Sequence, residues 1–283
     1  MRQFVSAVAP NSKGLLEISG KDFHYLRKVL RLAVGDMINL SLPGGLLQGA
    51  TVCKVDDRAK KIALQVCGTV GSGENSSQDK NAARSNGLQD LKGGASRTFM
   101  TLLQFIPKPQ KMELIVRQAA ECGIANVIPV IGEYTQAGSE KPLQKTDRFD
   151  RIVREARQQS GSQVETKIFP PMKLSEALEL IERGDLSSES DMAKIFFYER
   201  GEKTVSLLAA LLGKEQDGSQ AQDAAAAATA CVYAVGSEGG ISPAECELLF
   251  AKGYKAVHFN TNILRCETAA LYAAAAIQSA LDN

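Results

Sequence analysis

From Thr98 onward, short apolar runs alternate with amphipathic segments, and this alternation restricts the possible folds of the chain more than any other feature. The runs of strand length are TFMTLLQFI, NVIPVI, KIFFYE, ACVYAVG and YKAVHFN. The segments with helical spacing, several of which end at glycine, are KMELIVRQAAECG, RFDRIVREARQQSG, LSEALELIERG, KTVSLLAALLG, PAECELLFAKG and CETAALYAAAAIQSAL. Ser175 is predicted to cap the third helix. Alternation of this kind predicts an α/β domain, residues 98–283, with a mostly parallel sheet covered by helices.

The first 70 residues have a different pattern, made of short β-like runs and turns. INL, LLQGATVCKV and KIALQVCGTV favour strands, and the PGG turn precedes the second of them. HYLRKVLRL is the exception, because its apolar residues fall at helical spacing. We therefore predict a small β-rich domain over residues 1–70, of which a barrel is one form, with one short basic helix.

Residues 71–97 are polar, rich in Gly, Ser and Asn, and contain no aromatic side chain. A segment of this composition cannot bury enough surface to offset its ordering entropy. We interpret it as a flexible insertion between the two domains. Two further surface inserts are predicted near GDLSSESD and KEQDGSQAQDAAAAATA.

Composition excludes several classes of protein. No apolar run is long enough to span a bilayer, and the N-terminal residues lack the apolar centre of a signal peptide, so we expect a cytoplasmic protein without membrane contact. The six cysteines form no C-x-x-C pair and there are only two histidines, so we expect no metal site.

The formal net charge is only +1, but positive charge is concentrated in two segments. The first segment carries Lys21, Arg27, Lys28 and Arg31, and the second carries Arg148, Arg151, Arg154 and Arg157 at every third position. Such patches on a neutral protein indicate a local contact with a polyanion. Charge alone slightly favours the simpler interpretation, which is a solvated helix face with internal ion pairs.

The stretch GSEGGISPAE follows a buried strand and has the composition of a ligand-binding turn. Gly236, Gly239 and Gly240 allow a sharp turn and a close approach of the backbone to a ligand. Ser242 and Glu245 form a capping box around Pro243, which starts a helix and leaves main-chain amides facing the strand end. A purely structural turn would use the same glycines, so this stretch alone leaves both interpretations open.

The stretch NTNILRCETAALYAAA follows the next strand along the chain. If the two strands are neighbours, their ends bring Gly236–Ile241 and Asn260–Arg265 together. Arg265 and Glu267 then lie at the mouth of the same crevice. Glu267 is also favourable as a negative charge at a helix start, which is its alternative role.

These two stretches resemble the end of the SPOUT class of RNA methyltransferases, and in particular the RsmE family. HYLRKVLRLAVGD, KMELIVRQAAECGIANVIPV and RIVREARQQSG are also similar to segments of that family. The resemblance implies a SPOUT-type α/β domain with a C-terminal trefoil knot, preceded by a small PUA-like β-barrel domain. It further implies S-adenosylmethionine as cofactor, methylation of N3 of a specific uridine in 16S ribosomal RNA of the small ribosomal subunit, a homodimer, and no metal.

The resemblance also assigns the cofactor site to three loops near the end of the chain. Their residues are Phe197, Tyr198, Glu199, Gly236, Ser237, Glu238, Gly239, Gly240, Ile241, Phe259, Asn260, Ile263, Leu264 and Arg265, to which we add Thr268. Main-chain groups would read the adenine edge, and Ile241, Ile263 and Leu264 would enclose its ring.

The catalytic candidates are Arg265, to orient RNA phosphate or stabilise the developing uracil anion, and Glu267, as a base or to position Arg265. Glu238 is interpreted as a structural or cofactor-side group. The residues expected to contact RNA are Lys21, Arg27, Lys28, Arg31, Arg151, Arg154 and Arg157, with ion pairs as the alternative for the last three.

The chain departs from the family pattern at several positions. Phe259 and Asn260 replace a Leu-Gly pair, Cys266 replaces threonine, and Tyr134 replaces arginine after Glu133. An arginine expected after the central helix is absent near SGSQVET. These differences affect the expected RNA contacts more than the cofactor site.

Two other functions remain as alternatives. A nicotinamide-dependent oxidoreductase would need G-x-G-x-x-G after an early strand, and the early strands here lack it. A non-catalytic RNA-binding module of ribosome assembly would account for the basic patches but not for the paired loops near the C-terminus.

Overall fold

The computed structural model describes residues 3–43, 47–69, 98–144, 146–184, 186, 192–199, 203–212 and 229–281. The predicted insertion at residues 71–97 and most of the two predicted surface inserts lie outside this part. The chain groups into two compact units. One comprises Met1–Gly94 with Arg157–Glu165, and the other comprises Ala95–Ala156 with Thr166–Asn283.

The N-terminal unit is built around one five-stranded sheet. Its strands are β1 (Gln3–Val5), β2 (Leu15–Ser19), β3 (Met37–Ser41), β4 (Leu47–Asp56) and β5 (Lys61–Thr69). The order is β1-β3-β4-β5-β2, with β1 and β3 parallel and the other pairs antiparallel. The predicted β-rich character is confirmed, although β1 and β2 were not predicted.

The basic helix of this unit is present, but it begins earlier than predicted and changes type. Helix α1 (Gly20–His24) continues directly as a π-helix, Tyr25–Val29. The segment ends where Arg31 takes a positive φ of 55°. Leu26 and Leu32 are fully buried and belong to the apolar core of this unit.

The second unit contains an eight-stranded sheet in which every strand pair is parallel. Its strands are β6 (Phe99–Phe105), β7 (Asn126–Ile131), β8 (Lys167–Ile168), β9 (Met172–Lys173), β10 (Met192–Phe197), β11 (Thr204–Val205), β12 (Ala230–Val235) and β13 (Lys255–Val257). The order is β11-β13-β10-β12-β6-β7-β8, and β9 also pairs with β7. The predicted parallel sheet is therefore confirmed.

Helices cover both faces of this sheet. They are α2 (Pro109–Cys122), α3 (Thr146–Ser160), α4 (Leu174–Glu182), α5 (Leu207–Leu212), α6 (Pro243–Ala251) and α7 (Cys266–Leu281), with a 3-10 turn at Lys141–Gln144. Successive side chains of a strand point to opposite faces. Met100 and Leu102 of β6 accordingly pack with α2, α3 and α7, whereas Leu103 and Phe105 pack with α4 and α6. No helix among the described residues is long and apolar enough to cross a membrane.

Two local predictions in this unit are wrong, and a third is correct only for part of its run. The run KTVSLLAALLG starts as a strand, because the β-branched Thr204 and Val205 pair with β13, and its helix begins only at Leu207. The run YKAVHFN is a strand over Lys255–Val257 alone. Ser175 is not an N-cap, since the main-chain N–H of Lys173 already donates to Glu176 Oε2 at 3.0 Å.

Candidate active site

A cavity of about 550 Å³ lies at the carboxyl ends of β10, β12 and β13. Its walls come mainly from the loops that follow these three strands, with Lys111 and Tyr134 completing one side. Parallel α/β sheets bind ligands at this edge, where several loops converge. The two stretches singled out in the sequence, Gly236–Ile241 and Asn260–Arg265, therefore meet around one cavity.

The turn after β12 depends on glycine at three positions. A Cβ atom on Gly236 would lie 2.7 Å from the carbonyl carbon of Gly240, and one on Gly239 would lie 2.7 Å from Cβ of Tyr134. Gly240 itself takes a φ of 82°, which L-residues rarely adopt. The backbone thus approaches its neighbours more closely than any side chain permits, and its main-chain groups form the cavity wall.

Gln104 fixes this turn to the sheet. It is the penultimate residue of β6 and is fully buried. Its Nε2 donates to the carbonyl oxygens of Phe105 at 2.9 Å, Val235 at 3.3 Å and Gly236 at 3.2 Å. A buried amide that donates to the ends of two neighbouring strands holds the start of the glycine turn in place.

The predicted capping box at the start of α6 is present. Ser242 Oγ accepts the main-chain N–H of Glu245 at 3.3 Å, and Glu245 Oε2 accepts the main-chain N–H of Ser242 at 2.8 Å. The second oxygen, Oε1, accepts the main-chain N–H of Glu133 at 2.8 Å, from the loop after β7. Glu245 therefore links the glycine turn to the neighbouring loop as well as capping its own helix.

We expect Glu245→Ala to lower the free energy of unfolding by about 2–3 kcal/mol, because it leaves two main-chain donors without a charged acceptor. Urea denaturation followed by circular dichroism would measure this loss. The matched control is Glu247→Ala on the same helix, where an exposed carboxylate pairs with Lys203 at 3.6 Å. That pair should contribute less than about 1 kcal/mol, and equal losses in both variants would contradict the role of Glu245.

The strongest electrostatic feature at the cavity is a group of four side chains, which we call the Lys111 cluster: Lys111, Glu238, Cys266 and Glu267. Lys111 Nζ lies 3.2 Å from Glu267 Oε2, 3.4 Å from Glu238 Oε1 and 3.9 Å from Cys266 Sγ. The Cys266 thiol donates to Glu267 Oε2 at 3.2 Å. Glu238 Oε1 also accepts the main-chain N–H of Lys108 at 3.3 Å.

These contacts fix the charges of the cluster. Burial opposes ionisation of both carboxylates, but main-chain N–H groups and the Lys111 ammonium outweigh it and hold the pKa of Glu238 and of Glu267 below the ordinary value. Burial likewise opposes the charge of Lys111, yet the bond to Glu267 and the nearby negative charges raise its pKa. Burial and the bond to Glu267 raise the pKa of Cys266 to about 12. Near neutral pH the cluster holds two carboxylates, one ammonium and a neutral thiol.

Phe259, where the resemblance implies leucine, packs against two aromatic rings. The ring of Phe259 stacks on that of Phe197, with centroids 4.6 Å apart, and meets the edge of Tyr272 at 4.7 Å. Phe197 and Phe259 both line the cavity. The larger side chain therefore closes the cavity against β10 and α7, and its aromatic contacts add to the area that it buries.

The structure places the predicted cofactor residues around this cavity, except Asn260 and Thr268, which are exposed and do not line it. Arg265 lines the cavity, and Ile263 is 83% exposed at its rim. Glu267 does not line the cavity and contacts it through Lys111 and Cys266, both of which line it. The sequence analysis did not predict that Lys111, Tyr134, His258 and Cys266 line the cavity.

The residues expected to contact RNA divide into two groups. Lys21, Lys28, Arg31 and Arg151 are exposed, and Arg151 also pairs with Glu155 at 3.6 Å. Arg154 is half-buried.

Arg27 and Arg157 have partners within the N-terminal unit. Arg27 makes a two-bond ion pair with Asp57, at 3.0 and 3.2 Å. Arg157 is 4% exposed, and its guanidinium donates to Ser41 Oγ and to the carbonyl oxygen of Gln163. In this conformation Arg157 is not accessible to a phosphate. Within the described residues, no group of three or more histidine, cysteine, aspartate or glutamate side chains could hold a metal ion.

A cavity at the carboxyl ends of parallel strands, lined by main chain and a few charged groups, defines an α/β enzyme with a site for a nucleotide-like ligand. Comparison with known proteins specifies the class. Residues 95–278 match the RNA methyltransferase domain family. The ribosomal RNA small subunit methyltransferase E of Aquifex aeolicus is 30% identical over 193 residues, which are 68% of this chain and 73% of the relative.

The enzyme of the same name from Synechocystis is 28% identical over 280 residues, covering 98% of this chain and 77% of the relative. A crystal structure of the Neisseria gonorrhoeae enzyme bound to S-adenosyl methionine superimposes with a TM-score of 0.69 at 22% identity, covering 99% of this chain and 97% of that one. The chain therefore belongs to the RNA methyltransferase family and, within it, to the ribosomal RNA small subunit methyltransferase E group.

Proposed function

We propose that this protein transfers a methyl group from S-adenosylmethionine to N3 of a specific uridine in 16S ribosomal RNA, with the assembled small subunit as substrate. The observation that carries the proposal is the single cavity formed by the loops after β10, β12 and β13. The family relationship supports the reaction class. The choice of nucleotide and atom follows from the resemblance of GSEGGISPAE and ILRCETAALYAAAA to the uracil-N3 methyltransferases.

The cavity fits the proposed cofactor in size and chemistry. Its volume of about 550 Å³ lies within the range of small-molecule sites. Ile241, Ile263 and Leu264 give it apolar surface for an adenine ring, while the turn at Gly236 presents main-chain groups without a side chain in the way. These residues would hold the cofactor, which when bound supplies an electrophilic methyl group on its sulfonium.

The protein's own task is to place the uracil N3 in line with that methyl group and to favour loss of the N3 proton. Arg265 is the exposed guanidinium at the cavity. It is placed to orient an RNA phosphate or to stabilise negative charge that develops on the uracil oxygens. A guanidinium offers five N–H donors and no acceptor, so Arg265 acts by charge and hydrogen bonding.

Glu267 is a poor candidate for the general base. Its carboxylate already accepts from Lys111 at 3.2 Å and from Cys266 at 3.2 Å, and its pKa is lowered. A carboxylate that is held ionised by its partners has little tendency to accept a proton near neutral pH. We therefore assign Glu267 to positioning, through Lys111 and through its place two residues after Arg265.

We expect the single-turnover rate of methyl transfer to rise with pH between about 6 and 9, because the uracil proton leaves without a carboxylate base. The lowered pKa of Glu267 places its loss of charge in acid, so it contributes no change across this range. Rapid-quench assays with saturating cofactor would measure the profile. A rate independent of pH over this range would contradict loss of the uracil proton without a carboxylate base.

The exposed Lys21, Lys28 and Arg31 support the proposal that the N-terminal unit, as a PUA-like domain, binds ribosomal RNA. Exposed lysine and arginine side chains that contact phosphate groups increase the affinity for RNA and its salt dependence, but they contribute little sequence specificity. Arg27 can contact RNA only if its ion pair with Asp57 breaks.

The finer features of the fold are also proposals. In the family, the loops that hold the cofactor belong to a trefoil knot, and the loops after β12 and β13 occupy the corresponding place in this sequence. Homodimer formation near α7 is supported by Tyr272 and Leu208, which are 44% and 57% exposed. Light scattering at the mass of a single 30.3 kDa chain would reject the dimer.

Two experiments test the proposed function. Calorimetry should detect binding of S-adenosylmethionine and none of NADH, which would exclude the oxidoreductase, and binding of neither would favour the non-catalytic RNA-binding module. Mass spectrometry of ribosomal RNA should then show loss of 3-methyluridine in cells that lack the protein. An unchanged level of 3-methyluridine would reject the assigned product while leaving cofactor binding intact.

A further inference from the structure

We infer that Lys111 is a positioning residue, which holds the loop after β12 against the first turn of α7 by separating the carboxylates of Glu238 and Glu267. This role of Lys111 in the cavity wall extends the proposed function to a residue that lies outside the loops after β12 and β13. Lys111 belongs to the first turn of α2, and its side chain is 27% exposed. The position therefore combines partial burial with a place on the cavity surface.

The geometry uses the full bonding capacity of the ammonium. A lysine has three N–H donors, and Lys111 has three partners in Glu238, Glu267 and the sulfur of Cys266. Each carboxylate lies within 3.4 Å of the same nitrogen, so the two carboxylates are close neighbours. Without Lys111 they would face one another as like charges in a partly buried place.

The two carboxylates belong to two different segments beside the cavity. Glu238 stands in the glycine turn between Ser237 and Gly239, and Glu267 is the second residue of α7, two positions after Arg265. Repulsion between them would push apart the turn and the helix start, and would move Arg265 with the latter. The Lys111 ammonium attracts both carboxylates, so the glycine turn and the start of α7 stay together and the cavity keeps its shape.

Removal of the lysine charge should create a titration that the natural protein lacks. When two carboxylates share a site without a cation, the pKa of one rises, so the pair repels at higher pH and relaxes when one proton binds at lower pH. The other titratable groups that line the cavity are Tyr134, Tyr198, Glu199, His258 and Arg265, and a comparison of variant with wild type at each pH cancels their contribution.

The experiment measures the melting temperature of the ligand-free protein and the Kd for S-adenosylmethionine at pH 5.5 and pH 8. For Lys111→Met we expect melting about 3 °C or more below wild type at pH 8, and a Kd about tenfold higher, with both differences much smaller at pH 5.5. The double variant Lys111→Met/Glu238→Gln retains one carboxylate and should lie within about threefold of the wild-type Kd at both pH values. Lys111→Arg should also retain wild-type behaviour.

The control is Lys252→Met, which breaks an ion pair with Glu182 of 2.9 Å outside the cavity and should change neither the Kd nor its pH dependence. The inference is overturned if Lys111→Met differs from wild type equally at both pH values, or if Glu238→Gln fails to restore it. Melting of the free protein decides this even if the wild type binds no S-adenosylmethionine. A wild-type protein that binds no S-adenosylmethionine would instead overturn the proposed function.

Discussion

Gly236→Ala is expected to weaken binding of S-adenosylmethionine by about 100-fold. The added Cβ would lie 2.7 Å from the carbonyl carbon and 2.8 Å from Cα of Gly240, and both are main-chain atoms that cannot rotate away. The turn must therefore shift, which moves the main-chain groups that form the cavity wall. Overpacking of this kind costs about 1–3 kcal/mol, and each 1.4 kcal/mol is a factor of ten in affinity. Calorimetry on the purified variant would measure the change.

Gly184→Ala is the matched control for this variant. Gly184 follows α4 with a φ of 74°, but a Cβ there would meet no atom within 4 Å. The substitution should cost about 1 kcal/mol of stability from backbone strain while leaving the affinity for the methyl donor unchanged. If Gly236→Ala and Gly184→Ala bound S-adenosylmethionine equally well, the glycine turn would not be the cofactor wall.

Arg265→Ala is expected to lower the rate of methyl transfer by about 100- to 1,000-fold while the Kd for S-adenosylmethionine stays within about threefold of wild type. Loss of one donor that stabilises developing negative charge has effects of this size. Arg265 lies on the cavity but is itself exposed, so its removal leaves no buried group without a partner. Single-turnover assays with small ribosomal subunits would separate the rate from the affinity.

Arg151→Ala provides the comparison for Arg265, because it also removes an exposed guanidinium. Arg151 lies on α3 and pairs with Glu155 at 3.6 Å, and it does not line the cavity. Its loss should weaken RNA binding modestly and reduce the salt dependence of the RNA affinity. The single-turnover rate at saturating RNA should be unchanged. Equal single-turnover rates for Arg265→Ala and the wild type would remove Arg265 from the mechanism.

The α/β architecture could be predicted from the sequence because the long elements of the second unit carry strong local patterns. The run ACVYAVG is buried throughout in β12, and KMELIVRQAAECG forms α2 with Gly123 in the left-handed conformation at its end. The order of the strands in the sheet could not be predicted, since all of them have the same apolar character. Strands of two residues, such as Thr204–Val205, are too short to show a period, and pairing with β13 decides their conformation.

The candidate site likewise has one part that local sequence predicts and another part that it does not. The glycine turn and its capping box depend on chemistry within ten residues, so GSEGGISPAE was sufficient to predict them. Lys111 and Tyr134 reach the cavity from α2 and from the loop after β7, which lie more than 100 positions earlier in the chain than Gly239. No local pattern distinguishes Lys111 from other lysines at a helix start. Only the strand order places it between two carboxylates.

The side-chain amide of Gln104 joins groups that are 131 and 132 positions apart in the sequence, and the ammonium of Lys111 spans 155 positions to Cys266. Contacts between such distant positions form only when the long segments between them have closed into loops, and this requirement slows folding. Most of the helices and the earlier strands can thus form before the two ends of the cavity meet. We therefore expect the affinity for a methyl donor to appear only after the secondary structure has formed.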